Sequence, residues 1–152
     1  MTKTTVFVIR HADAGKRSVI DDDKRPLNER GRAQADGIAD RLAEEPIVRV
    51  LTSTYRRCVQ TIEPLAATLE LAVDREPALA EGAGGHGALA LIEACAATTV
   101  MCSHGDVIGD LLATLDRRGI PLDDDRLAKG STWALTVVDG AVTKARYSPP
   151  PR

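Results

Sequence analysis

The chain has 152 residues, enough for one domain with a substantial core. Hydrophobic residues make up 43% and charged residues 28%, an ordinary globular balance, and the net charge of −2 argues against a general nucleic-acid binder. Only 3% of residues are aromatic, so Ala, Val, Leu and Ile must build the core. Val6 to Ile9 is a continuous apolar run of strand length and reads as a strand buried on both faces. Between Asn28 and Glu44 the apolar positions Ala35, Ile38, Ala39 and Leu42 recur at helical spacing, and Pro46 closes the segment. Val48 to Leu51 reads as a second strand. A helix follows from Tyr55 to Glu70, with Pro64 inside it, where a missing backbone donor can kink it.

Glu81 to Gly87 is glycine-rich and reads as a loop, followed by a helix over Ala88 to Ala96. Thr99 to Cys102 is a third strand, and Val107 to Leu115 an amphipathic helix ended by Gly119 and Pro121. Trp133 to Val138 and Ala141 to Arg146 flank Asp139-Gly140, a hairpin signal. The proline-rich tail, 148–152, is expected to fray. Strands alternating with helices imply a three-layer α/β/α fold with a mostly parallel sheet, in a single domain over 1–152.

Three cysteines, Cys58, Cys95 and Cys102, are an odd count without a close pair, which fits neither a disulfide framework nor a zinc site. Buried thiols in a reducing compartment are expected. Val6 to Ile9 is too short for a signal segment or a membrane span, so a cytoplasmic location without membrane attachment is expected.

Parallel sheets bind ligands beyond the carboxyl ends of their strands. Arg10 and His11 follow the first strand, Ser53, Arg56 and Arg57 the second, and Ser103 and His104 the third. Two imidazoles and several guanidinium groups would then converge on one rim. Arginine's planar fork of donors matches phosphate oxygens, and a neutral histidine can attack phosphorus. The sequence has neither an aspartate-rich metal cluster nor a phosphate-cradling glycine loop, so side chains must supply the positive charge, and neither metal nor cofactor is expected.

These residues carry a family resemblance. Arg10-His11-Ala12, the segment Leu51 to Thr61 with Arg57, and Ser103-His104-Gly105 resemble, in order, three motifs of the histidine phosphatase (phosphoglycerate mutase-like) superfamily. Lys24-Arg25-Pro26-Leu27 and Glu29-Arg30-Gly31 resemble its short branch of SixA-type phosphohistidine phosphatases. Arg57 to Ala66 and Lys129 to Trp133 are similar to the phosphatase-like domain fused to Nudix hydrolases in some actinobacteria, and no Nudix portion is present in these 152 residues. The resemblance implies His11 as nucleophile and Arg10, Arg57 and His104 as phosphoryl ligands. It places Glu81 where relatives keep a general acid. Lys16 and Arg17 follow the first motif and are candidates to touch substrate, with a solvated basic loop as the plainer reading.

Several residues have plainer readings. Arg56 suits a surface salt bridge, and His86 an exposed loop position. Asp21 to Asp23 and Asp123 to Asp125 suit solvated faces. Trp133 suits the core, and Ser131, just before the hairpin, suits a plain structural position, with reach into the pocket as the lesser alternative. The expected activity is hydrolysis of a phosphorylated substrate through a phosphohistidine intermediate on His11. Short loops imply an open site, which favours phosphohistidine on a protein. A small phosphomonoester or nucleotide is the alternative, and a non-catalytic phosphate-binding module the rival from another class.

Overall fold

A computed structural model describes residues 1–152. Its six strands are β1 (Lys3–Arg10), β2 (Arg49–Thr52), β3 (Val73–Arg75), β4 (Thr99–Ser103), β5 (Thr132–Val138) and β6 (Ala141–Ser148). The four helices are α1 (Glu29–Leu42), α2 (Arg56–Leu69), α3 (His86–Glu93) and α4 (Gly105–Arg117). One sheet holds all strands in the order β3-β2-β4-β1-β5-β6. The first four of that order pair in parallel, while β5 pairs antiparallel with both β1 and β6. The expected three-layer, mostly parallel architecture is therefore present.

Alternation along β1 explains the layers. Side chains of successive strand residues point to opposite faces. Val6 and Val8 join one core with Leu89 and Ile92 of α3 and Ile108, Leu111 and Leu115 of α4. Phe7 and Ile9 join the other with Ile38 and Leu42 of α1 and Ile62 and Leu65 of α2. The whole run is buried, as a continuous apolar strand requires. Trp133 is fully buried, and its indole N–H donates to the Arg126 carbonyl at 3.1 Å.

The hairpin turns at Asp139 and Gly140, whose φ values of 49° and 83° match a turn that needs two left-handed residues. The edge strand β6 is shielded by the 121–123 segment, where Ala145 N–H donates to Pro121 O and Asp123 N–H to Ala145 O.

Four features differ from the sequence expectation. β3 is an extra strand, too short and too exposed to leave a periodic signal. α3 begins at His86 and ends at Glu93, so its first turn takes the end of the expected loop. α2 runs unbroken through Pro64. The tail, expected to fray, is seated against α1: Arg41 Nη1 donates to Pro149 O, and a Cβ on Gly37 would lie 2.5 Å from Pro151 Cβ. No helix is long and apolar enough to cross a membrane.

Candidate active site

β1 ends between β4 and β5, and that placement orients the first motif. Arg10 N–H donates to the Ser131 carbonyl at 3.1 Å and His11 N–H to the Ser103 carbonyl at 3.0 Å. Ala12 N–H then donates to Thr61 Oγ1 at 2.9 Å, and Thr61 donates onward to the Arg57 carbonyl. Asp13 N–H donates to Gln34 Oε1 at 2.9 Å, while its carbonyl accepts from Asn28 N–H. Gly31 packs directly on that carbonyl, where a Cβ would lie 1.9 Å from the oxygen. Asn28 caps α1 by accepting from Gly31 N–H at 2.8 Å. The Asn28–Gly31 segment thus clamps the turn that follows the histidine.

His11 is 6% exposed. Its Nδ1 lies 2.8 Å from the Ala12 carbonyl oxygen. A carbonyl only accepts, so Nδ1 carries the proton and Nε2 keeps its lone pair. Burial is the main reason the ring stays neutral, holding its pKa down to about 3. The charges of Arg57, His104 and Arg10 act the same way, against the opposing pull of the Ala12 hydrogen bond. Arg57 Nε approaches Nε2 at 3.4 Å.

His104 stands at the position just before α4 without a side-chain capping bond and is 1% exposed, with its ring centroid 5.4 Å from that of His11 in an edge-on arrangement. Its Nε2 is 2.8 Å from Ser53 Oγ and 3.5 Å from Cys58 Sγ. Its Nδ1 is buried and unpartnered, as is Arg10 Nε. Arg10 donates through Nη1 to the Leu127 carbonyl at 2.7 Å and lies against Gly105. Burial lowers its pKa. Ser131 Oγ is also buried and unpartnered, close in the chain to the carbonyl that β1 uses.

Arg57 is the hub of the rim. Its buried guanidinium donates to Asp22 O at 2.8 Å, Asp22 Oδ2 at 3.2 Å and Glu81 Oε1 at 3.1 Å. It lies 4.9 Å from the Tyr55 ring centre, and the Tyr55 ring lies edge-on to His104 at 4.7 Å. Burial alone would raise the Asp22 pKa, but Arg57, Arg17 and Arg25 outweigh it and hold the carboxyl below its usual range. Arg25 also donates to the Ala14 and Gly15 carbonyls, tying its own segment to the first motif.

The structure brings together Arg10, His11, Arg57, His104 and Glu81. Arg17 reaches the rim, 3.5 Å from Asp22 and 3.9 Å from Glu81. Lys16 is exposed and stays outside this network. Arg56 and His86 are exposed on the surface, and Arg57 rather than Arg56 turns inward. Short loops suggest an open site, yet Arg57 and His104 are each only 1% exposed.

Asp22 corrects the reading of Asp21 to Asp23 as a solvated face: a 3-10 turn over Asp22–Lys24 points one carboxylate of the three inward. Its one sequence signal is Arg25, three residues on, with which it pairs at 3.2 Å. Tyr55 is a second residue that the sequence leaves unmarked. Its only signal is its place just after a strand in a chain with two tyrosines.

The Glu81 loop is fixed to α4. Gly82 N–H donates to Asp106 Oδ2 at 2.8 Å, and Gly85 N–H to Asp110 Oδ2 at 2.7 Å. A Cβ on Gly85 would lie 2.5 Å from Leu111 N, so only glycine permits this approach.

A sequence profile described as Histidine phosphatase superfamily (branch 1) matches residues 6–93, from β1 through α3. The chain belongs to the histidine phosphatase superfamily. Over 156 aligned positions it is 38% identical to an 8-oxo-(d)GTP phosphatase of Mycolicibacterium smegmatis, a match covering 97% of this chain and 48% of that protein. An uncharacterized protein of Mycobacterium tuberculosis is 38% identical over 84 residues, covering 53% of this chain and 42% of the other. The chain thus spans about half the length of the curated relatives it matches. In three dimensions it matches the protein histidine phosphatase SixA complexed with tungstate, with a TM-score of 0.78 at 23% identity. That match covers 97% of this chain and 96% of the SixA chain, and it shows a shared fold.

Proposed function

We propose that this chain is a phosphatase that passes a phosphoryl group through His11 to water. The observation that carries the proposal is the His11 tautomer: Nδ1 is committed to the Ala12 carbonyl, and Nε2 keeps its lone pair, which accepts a long hydrogen bond from Arg57 Nε–H at 3.4 Å. Arg10, Arg57 and His104 hold the phosphoryl oxygens in this reading. The positive charge of the two arginines and the hydrogen-bond donors of all three offset charge on the equatorial oxygens as Nε2 bonds to phosphorus and the bond to the leaving group breaks. The electron pair of that bond goes to the leaving atom, which takes a proton from Glu81 in its acid form. Water then attacks the phosphohistidine. Glu81 accepts the water's proton, the N–P bond breaks, and phosphate departs with His11 neutral again.

Two observations bear on the substrate. The Glu81 carboxyl lies against Arg57, which supports reading it as the group that exchanges protons beside the bound phosphoryl group. An alkoxide leaving group needs such a proton, whereas an imidazole can be protonated from solution near neutral pH. The relative at 38% identity over nearly the whole chain carries the name of a nucleotide phosphatase. Both favour a small phosphomonoester, nucleotides included, over protein phosphohistidine. The SixA likeness, at 23% identity, speaks for the fold alone.

The test is a substrate panel of an aryl phosphate, a nucleoside monophosphate, a sugar phosphate and a phosphohistidine peptide, with His11→Ala as control. Rapid quench with labelled substrate should trap acid-labile, base-stable label, as a phosphoramidate is, and His11→Ala should abolish it. Absence of turnover on every substrate would support the non-catalytic binding module instead.

A further inference from the structure

We propose that Ser53 is a positioning residue that holds the Nε2 edge of His104, so that Nδ1 is the nitrogen presented to a bound phosphoryl group. This rests on the phosphatase reading above and adds a residue to it. Ser53 follows β2, is fully buried, and is anchored by its own N–H on the Cys102 carbonyl at 2.9 Å. Its Oγ accepts from Tyr55 N–H at 3.2 Å and lies 2.8 Å from His104 Nε2.

A hydroxyl has one proton and two lone pairs. With one lone pair given to Tyr55, Ser53 still keeps a donor and an acceptor. It can therefore donate to a bare Nε2 or accept from a protonated one. The anchor holds whichever charge state His104 adopts, which neither a carboxylate nor an ammonium could offer. The only other group at Nε2 is the Cys58 thiol at 3.5 Å, a weaker partner. Burial would raise that thiol's pKa, yet hydrogen bonds with Cys102 and His104 bring it down to about 6.

The opposite nitrogen is the unexplained one. Nδ1 of a 1% exposed histidine has no partner, and a buried polar atom left unpaired is costly. β4 lies between β2 and β1, so His104, which follows it, stands between Ser53 and His11. Arg10 Nε, at the end of the adjoining β1, is orphaned in the same way. Two unpaired buried nitrogens at neighbouring strand ends, beside the nucleophile, suit an anion that bridges them.

The experiment is NMR of protein labelled with ¹⁵N-histidine, titrated with inorganic phosphate. In the wild type, phosphate should move the His104 Nδ1 resonance into the range of a protonated hydrogen-bond donor, with Nε2 little changed. Ser53→Ala should blur that tautomer signature and weaken phosphate binding about tenfold, the scale of one misaligned charge-assisted hydrogen bond. Ser53→Thr, which keeps the hydroxyl, should restore both. A wild-type response through Nε2, or phosphate binding with His104 unmoved, would overturn the Ser53 assignment while leaving the phosphatase reading intact. Failure of the wild type to bind phosphate at all would overturn both. Even if Ser53→Ala does not fold, the wild-type spectrum overturns the assignment wherever Nε2 responds or His104 stays unmoved.

Discussion

Replacing Thr61 with valine tests the tie between the two halves of the site. Thr61 is fully buried in α2, accepting from Ala12 N–H at 2.9 Å and donating to the Arg57 carbonyl. Valine keeps the shape and removes both bonds. The Arg57 carbonyl loses little, because an interior helical carbonyl retains its backbone partner. Ala12 N–H has no such alternative, since Ala12 is fully buried one residue beyond His11. An unsatisfied buried donor costs about 1–3 kcal/mol. At this chain length each kcal/mol lowers Tm by about 2–4 °C, so a loss near 2 kcal/mol should lower it by about 4–8 °C. The Ala12 carbonyl that fixes the His11 tautomer belongs to the same residue, so kcat should also fall, by on the order of tenfold or more. Thermal melts and aryl phosphate kinetics of Thr61→Val and Thr61→Ser check this, the serine variant retaining most of both properties. If Thr61→Val melts and turns over like the wild type, the reasoning from that orphaned donor is wrong.

Other expectations follow from the same geometry. Glu81→Gln should slow phosphomonoesters with poor leaving groups by roughly 10²–10⁴-fold and aryl phosphates or phosphohistidine much less; a uniform small effect across the panel would discard the acid role. Gly105→Ala should weaken inorganic phosphate binding more than it lowers Tm, because its Cβ would lie 2.9 Å from Arg10 Cζ, the movable end of a side chain; isothermal titration beside a melt tells the two apart. His11 binds its proton only near pH 3 when folded, against 6.5 ordinarily. The unfolded chain therefore holds the extra proton between those values, and stability should fall as pH drops from about 6.5 towards 3, by up to roughly 4–5 kcal/mol from this group. Denaturant titrations across that range should show a shallower decline in His11→Asn, and equal slopes would contradict a neutral buried imidazole.

Local pattern carries most of what is readable in this chain. The apolar run Val6 to Ile9 determines a strand buried on both faces, since no alternation of polar residues is available to wet either side. The helices around Ile38, Ile62 and Leu111 follow from apolar spacing, and Asp139-Gly140 determines its own turn by tolerating left-handed backbone. Because the parallel strands share one direction, residues that directly follow them meet at one edge. Arg10, His11, Arg57 and His104 are therefore legible as a cluster before any coordinates. Tertiary structure alone decided the rest. The order β3-β2-β4-β1 sets His104 between Ser53 and His11, and strand order leaves no mark in periodicity. Asp22 and its two neighbours are equivalent by composition, yet only Asp22 turns towards Arg57, 35 residues away in sequence. The close contact of Gly31 on the Asp13 carbonyl and the bond from Ala12 to Thr61 join segments far apart in the chain. Burial preference is a property of each residue and its near neighbours. The choice of hydrogen-bond partner across the fold is a property of the packed whole, and it is there that this site acquires its tautomer, its orphaned nitrogens and its paired carboxylates.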